Sequence, residues 1–225
     1  MPRPLRADIA DIIYHVINRA NARQTIFNHE KDYQAFIDTL TEAKEKFPVE
    51  ILAFCIMPNH WHFILKPLEN GSMSQFMRWL TMTSTQRWHA AHRTVGTGHL
   101  YQGRFKSFPV QTDEYFVQLA RYVERNPLRA KLVSKAEYWS WSSLAFRERG
   151  NKQQQSILSP WPIPQPSNYL DLVNQEQPKS ETIFIKQSII KSSPLGNEDW
   201  VRKTAESLGL ESTLHTVGRP RKNGS

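Results

Sequence analysis

Residues 51–66 read ILAFCIMPNHWHFILK. Apolar and β-branched residues fill the stretch, and only Pro58-Asn59 interrupts it, so it reads as a hairpin with strands 51–57 and 60–66 around a turn at 58–59. Side chains two apart share a face of an extended strand. His60 and His62 therefore point together, while Trp61 and Phe63 point the other way. Two neutral imidazoles on one spot of a sheet are a way to hold a divalent metal with coordination positions left for substrate and water. A bare His-x-His is also what two half-buried strand histidines look like, so the rest of the chain has to decide.

Upstream, Ile13, His15 and Ile17 alternate with Tyr14, Val16 and Asn18, a first strand leading into a polar loop. From Asn28, a candidate N-cap with Glu30 in the first turn, Tyr33, Phe36, Ile37, Leu40 and Ala43 repeat at helical spacing to about Phe47-Pro48. Beyond the hairpin, Asn70-Gly71 makes a turn and Ser72 with Gln75 forms a capping-box pattern. Met73, Phe76, Met77, Leu80 and Thr83 then trace a second helix toward Ala91. Residues 104–111 read as a fourth strand. Thr112 would cap a third helix whose apolar face is Phe116, Leu119, Ala120 and Val123, ending near Asn126 because Pro127 disfavours helical backbone before it. The order β-α-β-β-α-β-α predicts an α+β, ferredoxin-like domain: an antiparallel sheet with helices on one face and the other face free to meet a ligand.

Composition narrows the partners. The 225 residues suffice for one core of ordinary domain size with tail left over, and the formal charge of +8 points to a polyanion. No apolar run approaches the roughly 18 residues of a membrane span, and residues 1–16 lack the long apolar core of a signal peptide. The expectation is a cytoplasmic, nucleoid-associated protein. Cys55 is the only cysteine, so neither a disulfide nor a cysteine-based zinc knot is available within the chain, and any metal rests on histidine, oxygen and amide donors.

On the third helix Tyr122 and Asn126 are four apart and project from one side within about 6 Å. If that side lies over His60 and His62, Asn126 supplies an oxygen ligand and Tyr122 stands beside the metal as nucleophile. Arg121, Arg125, Arg129 and Lys131 around them suit a phosphate backbone, as do Arg104 and Lys106 near the last strand. The plainer readings are a helix-to-sheet packing tyrosine and a helix-end asparagine. Tyr115 is a rival nucleophile, but its neighbour four residues on is Leu119, which cannot ligate metal. Tyr101 lies in the loop before the last strand. His15, His29, His89, His92 and His99 read as surface or loop residues, and the WSWSS block at 139–143 as aromatic packing.

Taken together these blocks resemble the single-tyrosine HUH transposases, specifically the REP-associated tyrosine transposases. The resemblance rests on Met57-Pro58-Asn59-His60-Trp61-His62, on YHVINRANARQTIF near the start, on YQGRFKS, on RYVERNPLRAKLV and on WSWSS, and covers roughly residues 10–146. It implies an enzyme that nicks single-stranded DNA near a hairpin formed by an imperfect palindrome, without ATP or a protein partner for the chemistry. Carried over by position, His60 and His62 are the paired ligands of Mg²⁺ or Mn²⁺, Asn126 takes the amide-ligand place, and Tyr122 is the nucleophile that forms a 5′-phosphotyrosine. Two other classes stay open: a structured-DNA or RNA binder that does not cut, and a hydrolase that uses metal-activated water.

This gives a catalytic domain over 1–148 and a Pro/Gln-rich linker over 149–166, where Pro160, Pro162, Pro164 and Pro166 recur at every second residue. A small helical appendage follows over 167–211, with apolar spacing at Phe184, Ile185 and Ile189 and again from Asn197 to Leu208. A basic tail occupies 212–225, where Gly218-Arg219-Pro220-Arg221-Lys222 resembles an AT-hook that would place Arg219 and Arg221 in a minor groove. The sequence leaves monomer and homodimer both open.

Overall fold

A computed structural model describes residues 7–215. Strands β1 (Ile13–Arg19), β2 (Val49–Met57), β3 (His60–Pro67) and β4 (Lys106–Val110) form one antiparallel sheet in the order β2-β3-β1-β4. The hairpin is β2-β3, turned by Pro58 and Asn59 alone, with Met57 opposite His60 and Cys55 opposite His62. β1 lies between β3 and β4, with Ile17 opposite His62 and Arg19 opposite His60. This is the interleaved order of the expected ferredoxin-like domain.

Alternation along the strands divides the core in two. Tyr14, Val16, Phe54, Ile56, Trp61, Phe63 and Leu65 face α1 (Glu30–Lys46) and α2 (Ser72–His92), meeting Phe36, Leu40, Phe76 and Leu80. Trp61 is fully buried there and its indole N–H donates to the Tyr101 hydroxyl at 3.1 Å, which places Tyr101 in the core on this side of the sheet. Ile13, Cys55, Ile64, Phe108 and Val110 face the other way, onto Phe116, Leu119, Ala120 and Val123 of α3 (Glu114–Glu124). The expectation of helices on one face thus holds for α1 and α2. The opposite face, expected to be open, is covered by α3, because that helix has a continuous apolar stripe of its own to bury.

Helix starts differ from the reading by about a residue. His29, not Asn28, is the cap of α1, since Asp32 accepts the N–H groups of both at 2.9 Å. Asp113, not Thr112, caps α3 by accepting the Tyr115 N–H. Ser72 does not form a capping box on α2: its hydroxyl donates to the Pro48 carbonyl, and the Ser74 N–H is satisfied by Asp8 at 2.7 Å.

After α3 come α4 (Asn126–Arg129), α5 (Ser143–Arg149), α6 (Lys152–Ser156), α7 (Tyr169–Asn174), α8 (Lys179–Lys191) and α9 (Glu198–Leu208). WSWSS packs as expected: Trp139 donates to the Ile56 carbonyl at 2.8 Å, Trp141 stacks on Tyr33, and Ser142 bridges to Cys55 on the outer edge of β2. The stretch expected as a linker over 149–166 is laid against the domain. Its glutamines form α6, Ile157 is buried, and Trp161 donates to the Leu52 carbonyl while its ring meets Phe116 and Tyr169 edge-on. Alternating prolines keep this run out of helix without keeping it off the protein. In the appendage, Asn197 caps α9 by accepting the Trp200 N–H at 2.9 Å. Asn197→Ala should cost about 1 kcal/mol of local stability, read as roughly five-fold faster amide exchange over 198–203.

Candidate active site

The site lies between β3 and α3. His60 and His62 project from the same face of β3 with ring centroids 5.2 Å apart, and the Tyr122 ring stands edge-on to His62 at 6.1 Å. Tyr122 comes from the last turn of α3. The helix axis then breaks at Arg125 (φ −78, ψ −6), and Asn126 opens α4 with Pro127 beside it, where the missing N–H of proline costs nothing. Asn126 is 7% exposed, and its Oδ1 accepts from Arg129 Nη2 at 2.6 Å. The same guanidinium lies over the Tyr122 ring, 4.1 Å from its centroid. Two imidazoles, a phenol, an amide and an arginine thus share one small volume.

Electrostatics follow from burial. Loss of water brings His60 down to about 4, helped by the cations of Arg19 and Arg129, and holds His62 well below the ordinary imidazole range. Both rings are neutral at physiological pH, the form in which imidazole ligates metal. Burial raises the Tyr122 phenol above 10.0, while Arg129 and Arg19 pull against that rise.

The donor set fits a divalent cation. His60 has Nδ1 engaged by Asn59 Oδ1 at 2.7 Å and His62 has Nδ1 engaged by His15 Nε2 at 2.9 Å, so Nε2 is the ring nitrogen left for an ion in both. Asn126 can ligate only through Oδ1, which already accepts from Arg129 and keeps one lone pair, while its Nδ2, an N–H donor that cannot bind a cation, is buried with no hydrogen-bond partner. Among the described residues no group of three His, Cys, Asp or Glu gathers at one point, so an ion here would rest on the two imidazoles and neutral oxygen donors.

The other candidates disperse. Arg125 donates to the carbonyls of Val173 and Asn174, both at 2.7 Å, and Arg121 to that of Gln175 at 3.1 Å; both arginines finish the C-terminal end of α7 and are not poised as free phosphate contacts. Lys106 reaches the carbonyls of Ile189 and Ile190 at the end of α8. Arg104 and Lys106 line a cleft of about 780 Å³ with Arg19, Gln102 and Ile190. Tyr115 packs near Phe184 of α8, two turns before Tyr122 on the same helix. Arg219 and Arg221 lie outside the described residues.

Three residues were missed. Arg19 shares a face of β1 with His15 and Ile17 and stands opposite His60. Glu124, fully buried, accepts from Arg147, Tyr169 and Ser143. His15, read as a surface or loop residue, is fully buried and bonded to His62, while His29 and His99 are exposed and His89 and His92 half-buried on α2. Strand alternation was the available signal for His15 and Arg19: two polar residues on a face otherwise apolar.

Against known proteins, residues 8–126 match the sequence family described as transposase IS200-like. The fold is similar to that of a REP-associated tyrosine transposase solved bound to a REP hairpin, with a TM-score of 0.54 and 19% identity over 74% of this chain and 96% of that one. A putative transposase from Deinococcus radiodurans R1 is similar at a TM-score of 0.40 and 20% identity, over 55% of this chain and 96% of that one. No curated protein matches.

Proposed function

The chain belongs to the IS200-like transposase family, and on that premise we propose that it binds single-stranded or hairpin DNA of REP-like palindromic type and cleaves and rejoins it through Tyr122. The observation that carries this reading is the convergence of His60, His62 and Tyr122 from β3 and α3 of one chain. A binder that does not cut has no use for a phenol set beside two neutral imidazoles. The related protein solved with a REP hairpin supports the choice of DNA.

His60 and His62, with the Asn126 amide, would hold Mg²⁺ or Mn²⁺, which when bound draws charge from the scissile phosphate. The Tyr122 oxygen attacks phosphorus. A new oxygen–phosphorus bond forms to the tyrosine, the bond to the 3′ oxygen breaks, the phenol loses its proton and the departing oxygen takes one up. The products are a 5′-phosphotyrosine and a free 3′-hydroxyl, and attack by that hydroxyl reverses the step. Arg129 stabilises the phenolate form of the ring it covers.

The cleft lined by Arg19, Arg104 and Lys106 includes the residue paired with His60 in the sheet and would give the strand a cationic path along β4. Arg104→Ala should weaken hairpin binding to a similar degree across sequences and reduce the log–log salt slope by about 1, measured by titration from low to high salt. No helix among the described residues is long and apolar enough to cross a membrane; a protein acting on chromosomal repeats would work in the cytoplasm at the nucleoid.

The test is to incubate the full chain with Mn²⁺ or Mg²⁺ and hairpin DNA labelled at either end, then denature. A species retaining protein on the fragment that begins at the cut, with a free 3′-hydroxyl on the other, supports the reading. Cleavage to two protein-free fragments at every time point replaces it with a hydrolase, and no cleavage with a binder.

A further inference from the structure

His15 is not part of the motif that carries the histidine pair, and it stands on a different strand. In the register of β1 against β3 it lies opposite Ile64, one diagonal step from His62. Its ring is fully buried, with Phe108 at 4.8 Å on one side and His62 at 5.1 Å on the other. Nε2 meets His62 Nδ1 at 2.9 Å, and His15 Nδ1 is buried without a partner. That is a poor choice for packing alone. An unpaired buried ring nitrogen is a desolvation cost that a phenylalanine there would not carry, and the other nitrogen has one neighbour, the candidate ligand.

Metal ligation by His62 would give this hydrogen bond a direction. A nitrogen that binds a cation must present its lone pair, so for His62 to ligate through Nε2 its proton has to sit on Nδ1. That proton then needs an acceptor, and His15 Nε2 is the atom at hydrogen-bond distance. We propose that His15 is a positioning residue for the metal site: it accepts the Nδ1–H of His62, fixing the ring's orientation and the tautomer that leaves Nε2 free for the divalent cation. This rests on the metal reading of His60 and His62 and extends it to a histidine outside their motif. His60 carries the parallel arrangement, with Asn59 Oδ1 as the acceptor at 2.7 Å. Each imidazole thus has its own orienting acceptor, one from the turn and one from the neighbouring strand.

The test measures metal uptake directly, by electron paramagnetic resonance of free Mn²⁺ titrated into the full-length protein without DNA. His15→Phe keeps the ring volume beside Phe108 but removes the acceptor, and should weaken Mn²⁺ binding 10- to 100-fold. His15→Gln, whose amide oxygen can reach the place of Nε2, should recover most of that loss, whereas His15→Asn, with a shorter reach, should not. A melting temperature for each metal-free variant within a few degrees of the parent excludes collapse of the core as the cause. His15→Phe that binds Mn²⁺ as the parent does, or a Gln variant as weak as Phe, overturns the proposal. A parent that takes up no Mn²⁺ overturns the metal reading itself and this inference with it, so the two failures are told apart.

Discussion

Tyr122→Phe abolishes the covalent protein–DNA species and lowers strand cleavage by about 10³-fold or more, the scale set by removal of a nucleophile elsewhere. The expectation is specific because the substitution deletes one oxygen and leaves the rest. The phenyl ring still stands edge-on to His62 and still lies under Arg129, so the fold and the neutral imidazoles are kept. Hairpin affinity should stay within about two-fold, since phosphate contacts supply most of it. Tyr115→Phe is the matched control: it removes a hydroxyl from the same helix, beside Phe184, and should leave adduct formation as in the parent. The measurements are a denaturing gel of labelled DNA and a binding titration in chelator. Cleavage that persists in Tyr122→Phe means water is the nucleophile and Tyr122 is packing. Loss of cleavage together with loss of hairpin binding means the ring supports the DNA interface and does not attack it.

Much of this arrangement is legible without coordinates because it depends on short periods. Period two puts His60 with His62, and the spacing of four brings Tyr122 near Asn126. What distance along the chain conceals is partnership. His15 alternates correctly with Ile13 and Ile17, but its importance depends on β1 lying beside β3, a matter of strand order. Arg121, Arg125 and Arg129 would share a face of a straight helix. The break at Arg125 and the arrival of α7 separate them, and of the three only Arg129 meets Tyr122. The prolines of 160–166 announce an extended chain truthfully and say nothing of where it rests. Trp161 was the clue, since a large aromatic side chain in an unattached linker would have no surface to bury.

The second large effect concerns Glu124, two positions from Tyr122. Its carboxylate is fully buried, and burial lifts it above the usual carboxylate range against the pull of Arg147, Ser143 and Tyr169. Those partners come from α5 and from the first residue of α7, so one carboxylate fastens α3 to both. Glu124→Ala takes the shared carboxylate from a half-buried guanidinium and a buried phenol hydroxyl together, which should cost about 3–5 kcal/mol and lower the melting temperature by roughly 6–20 °C for a chain of this size. Glu124→Gln keeps an acceptor for Tyr169 and should lose distinctly less. Tyr169→Phe, which removes one donor and no charge, should cost about 1–2 kcal/mol. If Glu124→Ala melts within a degree or two of the parent, the carboxylate is not what ties these helices together. The apolar contacts of Phe116, Trp161 and Tyr169 would then hold α3 against the sheet unaided. If it melts as expected but Glu124→Gln falls equally far, the charge on Glu124 opposite Arg147 carries the attachment, since the amide keeps the shape and an acceptor oxygen and gives up only that charge.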